Sequence, residues 1–347
     1  MRYKTFGTHT GLLTAELALG VSLFGRTIGY GATPEDAKTI LDTYVDAGGN
    51  FVDTSSRYRF GQSEMMLGEL MADKRENLIV ATKYSRGDVA DAPLTTLGAN
   101  RKTMIQSVEA SLRRLGTDRI DILFVHMDDY LTPMEEILRG FDDLIRAGKI
   151  IYGAFSNYPA WRLSYGAAFA ELRGWAPMAG MQIEYSLLQR TPERELLPMA
   201  QACGLGVLAY SPLAGGLLTG KYRRGEGGRA IDYKEALLHE DAGEAADIIS
   251  ALVSVAEEIG SPASQVALAW AFTRNVFPLV GPRTPQQLLD NLGALELRLD
   301  AEHLERIEKA SAIRLGYPHE LTGSESQRAI NTGGRQHLID MPDRAVI

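Results

Sequence analysis

Cysteine is nearly absent from this chain of 347 residues, with Cys203 standing alone. An internal disulfide is thereby excluded, and no Cys/His cluster with metal-ligand spacing occurs. Cys203 ends a helix-like stretch before Gly204, so a small buried hydrophobe in a reducing compartment is the expectation. Long apolar runs are missing too, which excludes a membrane-crossing helix. The opening Met1-Arg2-Tyr3-Lys4-Thr5-Phe6-Gly7 lacks the apolar centre of a signal peptide. These absences predict a cytoplasmic protein without membrane association. Basic runs interleaved with aromatics are likewise absent, and the net charge is −8, which speaks against a nucleic-acid partner. What remains is an ordinary globular composition, 45% hydrophobic and 23% charged, sufficient for a sizeable core.

Apolar strand-like runs alternate with amphipathic helical stretches along the chain. Residues 1–16 read as a β-hairpin. Leu17–Val21 is the first buried strand. It is followed by the Gly-rich loop Gly25–Gly31 and by a helix that Thr33 caps and Pro34 opens. Further strands are predicted at Phe51–Val52, Leu78–Thr82, Ile120–Val125, Ile150–Ala154, Ala179–Ile183, Gly206–Tyr210 and Val276–Val280. Helices are predicted from Ser63 to Met71, Lys102 to Leu115, Pro133 to Ala147, Pro159 to Leu172, Pro192 to Ala202 and Thr284 to Leu292. Eight strand–helix units without a composition break predict one domain over residues 1–347, a closed (β/α)8 TIM barrel. An open doubly wound sheet fits less well, because no Gly-x-Gly-x-x-Gly turn follows the first strand. Long loops are expected at the C-terminal face, at 85–100 and from Leu213 to about Glu244. A capped helix spans Asp300–Ala312, and the tail 313–347 reads as disordered or draped over the surface.

The stretch Asn50-Phe51-Val52-Asp53-Thr54-Ser55-Ser56-Arg57-Tyr58 organises the chemistry. An acid ends a strand, and a phenol follows on the next loop. Lys83 closes the third strand and His126 the fourth. Parallel α/β folds place their chemistry at these C-terminal strand ends. An ammonium at Lys83 favours the phenolate of Tyr58, whose unperturbed pKa is about 10. Asp53 can supply the ammonium's counter-charge. His126 can donate to a substrate oxygen or relay a proton. The set suits protonation of an oxygen that gains electron density, as in hydride transfer to a carbonyl. A nicotinamide or flavin must then supply the hydride. Ser156-Asn157, Gln182 and Tyr210-Ser211-Pro212-Leu213 end later strands, where a ring can stack on a nicotinamide. Gly281-Pro282-Arg283-Thr284 opens a helix suited to an anion.

These residues resemble the aldo-keto reductase family over roughly residues 2 to 312. Asp53, Tyr58, Lys83 and His126 match its catalytic tetrad in order and approximate spacing. Gly61-Gln62-Ser63-Glu64-Met65-Met66-Leu67-Gly68 resembles its Gly-x-Ser-Glu-x-x-Leu-Gly pattern. Phe155-Ser156-Asn157, Gln182-Ile183-Glu184-Tyr185-Ser186 and Tyr210-Ser211-Pro212-Leu213 match its nicotinamide side, and Gly281–Asn291 its adenosine-phosphate segment. In that last segment Gly281-Pro282 replaces the common Lys-Ser, and Gln287 stands at a later Arg position.

The resemblance implies reduction of an aldehyde or ketone, with Tyr58 as general acid. It implies a cofactor seat of Gly20, Val21, Asp53, Ser156, Asn157, Gln182, Tyr210, Ser211, Pro212, Leu213, Gly215, Lys221, Gly281, Arg283, Thr284, Gln287 and Asn291. The substrate pocket is expected at Phe24, Tyr58, Tyr84 and His126. NADPH is the expected cofactor, with NADH possible, because Arg283 at a helix mouth suits a 2′-phosphate and no acid lies between Gly281 and Gln287. Lys221 and Arg223 are placed over the pyrophosphate, and Asp290 with Asn291 on the adenine side. The resemblance extends to potassium-channel β subunits, so a cofactor-binding regulatory subunit is the alternative. The expected partner is a small-molecule carbonyl compound.

Overall fold

The computed structural model describes residues 1–26, 30–87, 89, 91–222 and 243–340. Two short strands, β1 (Tyr3–Thr5) and β2 (Leu13–Ala15), form the antiparallel hairpin, with Lys4 opposite Thr14. The barrel strands are β3 (Ala18–Gly20), β4 (Phe51–Asp53), β5 (Ile79–Tyr84), β6 (Ile120–Val125), β7 (Ile150–Ser156), β8 (Gly180–Glu184), β9 (Gly206–Tyr210) and β10 (Phe277–Val280). They pair in parallel in sequence order, and β10 closes onto β3.

The strands' period of two separates two cores. Ala18, Phe51, Ile79, Ala81, Ile122, Phe124, Ala154, Leu208, Phe277 and Leu279 share the interior cluster. The alternate residues, such as Leu19, Val52, Val80, Leu123, Val125 and Phe155, pack outward against the helices. The hairpin closes the floor. Phe6 is fully buried, with its ring 5.5 Å from Phe51 and 5.4 Å from Phe277. Glycine is required opposite it. A Cβ on Gly180 would meet the Phe6 ring at 2.6 Å, and one on Gly206 would meet it at 2.7 Å.

The outer helices are α1 (Pro34–Asp46), α2 (Gln62–Met71), α3 (Arg101–Leu115), α4 (Met134–Arg146), α5 (Ala160–Arg173) and α6 (Leu196–Ala202). They continue with α7 (Gly243–Ile259), α8 (Ala263–Phe272), α9 (Pro285–Gly293) and α10 (Ala301–Ala310). Thr33 and Thr284 cap α1 and α9 as their sequences predict. The helix expected from Pro192 is instead a 3-10 turn, Thr191–Glu193, followed by α6. Pro198 explains the break. It lacks the N–H that residue 194 would need, and it is accommodated in the first turn of a helix that starts at Leu196.

Two further departures concern burial and length. Cys203 is half-exposed beyond the end of α6 rather than buried. The long loop expected from Leu213 to about Glu244 ends where α7 begins, and α7 and α8 fill the stretch before β10, a stretch to which the sequence assigns no element. Their apolar faces include Ile249, Leu252 and Val255, and Val266 and Trp270. The tail carries two short helices, α11 (His319–Thr322) and α12 (Glu325–Asn331), draped on the surface. His319 pairs with Glu195 at 2.7 Å, and Arg194 Nε donates to the Arg314 carbonyl at 2.9 Å. Among the described residues, no helix is long and apolar enough to cross a membrane.

Candidate active site

The alternation that builds the interior core also delivers the polar groups above it. Asp53 follows Phe51 on the inward face of β4, Lys83 follows Ile79 and Ala81 on β5, and His126 follows Ile122 and Phe124 beyond β6. Gly20, Ser156, Gln182, Tyr210 and Gly281 hold the equivalent positions on the other strands. All of these except Lys83 line one cavity of roughly 1000 Å³ at the barrel's C-terminal end, and Tyr58 joins them from the loop after β4.

Lys83 is the hub. Its Nζ donates to Asp53 Oδ2 at 2.5 Å, to the Thr54 carbonyl at 2.8 Å and to the Tyr58 hydroxyl at 3.2 Å. Burial alone would strip its proton, but the Asp53 carboxylate and Tyr58 outweigh that cost and hold the ammonium above the usual lysine range. Burial pushes the Asp53 carboxyl up, while Lys83 and an amide hydrogen bond from Gln182 Nε2 at 2.9 Å favour its charged form. His126 is held well below the usual histidine range, chiefly by burial and then by the charges of Lys83 and Arg86. It is therefore neutral near pH 7. Its Nδ1 lies 3.1 Å from Ser55 Oγ, which already accepts the Arg57 N–H at 3.2 Å. A Ser55 hydroxyl that donates to Nδ1 would leave the imidazole hydrogen on Nε2. The His126 ring meets the Tyr58 ring edge-on, with centroids 5.8 Å apart.

Asn157 ties the rim together from a left-handed backbone position, φ 56°. Its Nδ2 donates to the His126 carbonyl at 3.0 Å, and its Oδ1 accepts the Tyr210 hydroxyl at 2.9 Å. Burial pushes the Tyr210 phenol up to about 12.

The cavity fits a dinucleotide. Inward positions Gly20 and Gly281 carry no side chain, and a Cβ on Gly281 would stand in this space 3.7 Å from the Gly20 carbonyl. Ser156, Asn157 and Gln182 offer polar groups along one wall, and Tyr210 to Leu213 and Gly215 continue it. Lys221, Gln287 and Asn291 line the far end. Such a volume lies at the upper end of ligand pockets in general.

Some expected residues lie elsewhere. Val21 and Tyr84 fall on the outward parity of their strands, where a shift of one residue reverses the face. Both are buried in the shell between strands and helices, and the Tyr84 hydroxyl donates to the Ala99 carbonyl at 2.9 Å. Phe24 is fully buried in the same shell. None of the three reaches the cavity. Thr284 spends its hydroxyl on the Gln287 N–H, and Gln287 Oε1 accepts the Arg283 N–H at 2.8 Å. The Arg283 guanidinium stacks over Tyr30, 4.6 Å from the ring centroid. Tyr30 lines the cavity, whereas Arg283 and Thr284 stand just behind the wall. Arg223 lies outside the described residues.

The sequence reading missed the wall contributed by α7 and α8. Val253, Ala256, Glu257, Ser261 and Ser264 line the cavity, and Asp290 joins them with its Oδ2 accepting the Ser264 hydroxyl at 2.6 Å. The signal was present in the apolar spacing of Ile249, Leu252, Val255 and Ile259.

Comparison with known proteins agrees with this geometry. The model of the Aldo/keto reductase family matches residues 16–312. The uncharacterized oxidoreductase YrpG of Bacillus subtilis is 35% identical, over 88% of this chain and 95% of its own length. An aryl-alcohol dehydrogenase of Pestalotiopsis microspora is 32% identical, over 93% of this chain and 85% of that protein. The aryl-alcohol dehydrogenase [NADP(+)] of Phanerodontia chrysosporium is 31% identical, over 100% of this chain and 95% of its own. A matched family model over most of the barrel, with the strand ends arranged as described, establishes that the chain belongs to the aldo/keto reductase family and is an NAD(P)H-dependent oxidoreductase.

Proposed function

We propose that the protein reduces an aldehyde or ketone to the alcohol with NADPH, and that Tyr58 is the general acid. One observation carries this reading: the Tyr58 hydroxyl lies 3.2 Å from a buried ammonium that is itself bound to Asp53 at 2.5 Å. When bound, the reduced nicotinamide supplies a hydride to the carbonyl carbon. Charge then builds on the carbonyl oxygen, and the Tyr58 O–H is placed to donate to it. Lys83 stabilises the phenolate that remains, and Asp53 keeps Lys83 charged. Neutral His126 offers its Nε2–H to the same oxygen and orients the substrate. Asn157 acts on this set as a positioning residue, through the His126 carbonyl and the Tyr210 hydroxyl. The seat is assigned to Gly20, Ser156, Gln182, Tyr210–Leu213, Gly215, Lys221, Gly281, Gln287 and Asn291, with Arg283 close to the ribose phosphate. Leu23 and Met127, beside His126, give the substrate side an apolar wall. That wall, and the aryl-alcohol dehydrogenases among the relatives, favour an aromatic aldehyde.

Tyr58→Phe tests the assignment. It should lower kcat/KM for an aryl aldehyde by at least about a hundredfold, the scale of general acid catalysis, while the Kd for NADPH changes little. Wild-type turnover in this variant would remove Tyr58 from the role.

A further inference from the structure

Several of the described charged residues around the cavity mouth are already engaged. Asp128, two residues beyond His126, pairs with Arg162. Asp129 accepts the backbone N–H groups of Ala99, Leu131 and Thr132 and the Thr132 hydroxyl. Lys83 is spent on Asp53 and Tyr58. Arg86, two residues beyond β5, lines the cavity together with His126 and Met127 and has no hydrogen bond or ion pair with any described residue. Its position is built. Ser85, immediately before it, holds φ 89°, a conformation that residues other than glycine rarely adopt. Both backbone groups of Met127 hold Ser85 Oγ at 3.3 Å, and the Gly98 N–H holds its carbonyl at 3.1 Å. The turn therefore fixes where Arg86 leaves the backbone, across from Met127. The acids that line the cavity are Asp53, which Lys83 neutralises, and Glu257 and Asp290, which stand at the α7 and α9 end. The substrate side of the mouth thus presents a guanidinium without a partner among the described residues, in a chain of net charge −8.

We infer that Arg86 is an anion-recognition residue and that the carbonyl substrates of this enzyme carry a carboxylate or a comparable anionic group. The inference rests on the carbonyl-reductase reading above and names its substrate class. A guanidinium binds a carboxylate through paired hydrogen bonds, and Leu23 and Met127 accommodate the apolar remainder of the molecule.

The three formylbenzoate isomers, each compared with its formylbenzamide, test this. At least one isomer should exceed its amide in kcat/KM by about tenfold or more. Arg86→Met should abolish most of that ratio, Arg86→Lys should keep part of it, and raising the ionic strength should reduce it. Calorimetric titration of the protein and NADP+ with hydroxymethylbenzoates and hydroxymethylbenzamides reads the same preference without turnover. A preference that Arg86→Met leaves intact, or no charge preference in either measurement, overturns the anion site. If neither class of aldehyde is reduced while an Arg86-dependent binding preference persists, the anion site stands and the reductase reading falls.

Discussion

Lys83 Nζ and Asp53 Oδ2 meet at 2.5 Å across adjacent strands, both fully enclosed above the barrel's interior core. A buried pair of this kind is costly to break from one side, because the surviving charge has no partner.

Lys83→Met and Asp53→Asn should therefore each depress kcat strongly, and the double variant should lose little more than the worse single variant. Steady-state kinetics on the three proteins checks this. Multiplying losses would show that the two residues act separately.

His126 carries a pH signature. Its folded pKa is depressed, so the unfolded chain binds a proton at this site at higher pH than the folded one does. Its contribution to stability is complete above the unfolded value near pH 6.5 and declines as pH falls below it, toward the folded value. Chemical denaturation of wild type and His126→Gln on either side of pH 6.5 should show the smaller acid loss in the variant. If His126 is catalytic as well, the variant's kcat/KM will also fall in the protein that remains folded.

On the proposed reading, cofactor choice turns on Arg283. A charge-assisted phosphate contact is worth roughly 1.5–3 kcal/mol, or about ten- to a hundredfold in affinity. To make it, the guanidinium has to leave Tyr30. Arg283→Ala should weaken NADPH by about that factor and leave NADH nearly unchanged, measured by fluorescence titration. Equal losses for both cofactors, or a wild-type preference for NADH, would falsify the assignment.

The floor of the barrel is testable by volume. Gly206→Ala sets a methyl against the Phe6 ring and should cost about 1–3 kcal/mol. Phe6→Leu should recover part of that loss when the two are combined, and thermal unfolding reads both effects. Additive losses would place the clash somewhere other than Phe6.

Much of this architecture was legible in the sequence because strand ends carry unusual residues. Asp53, Lys83 and His126 each interrupt an apolar run, and their parity with Phe51, Ala81 and Phe124 places them inward. Val21 and Tyr84 were misplaced by that same parity, since proximity along the chain says nothing about face. The α7–α8 wall was hidden because the stretch before it is rich in Gly and charge, which drew the loop reading past Gly243. The stacking of Arg283 on Tyr30, and the lack of a partner for Arg86 among the described residues, depend on what neighbouring residues already bind. Spacing alone does not carry that information.

Phe6, seated against Gly180 and Gly206, has a consequence for proton traffic. Among the described residues, aromatic and aliphatic side chains pack the lumen between this floor and the Lys83 pair, away from the open cavity mouth. On the proposed mechanism, each proton that Tyr58 gives up would be replaced from the mouth, through the doorway by which the carbonyl compound arrives and the alcohol leaves. Recharging the acid and clearing the product then share one passage, and a bulky alcohol that lingers there delays both.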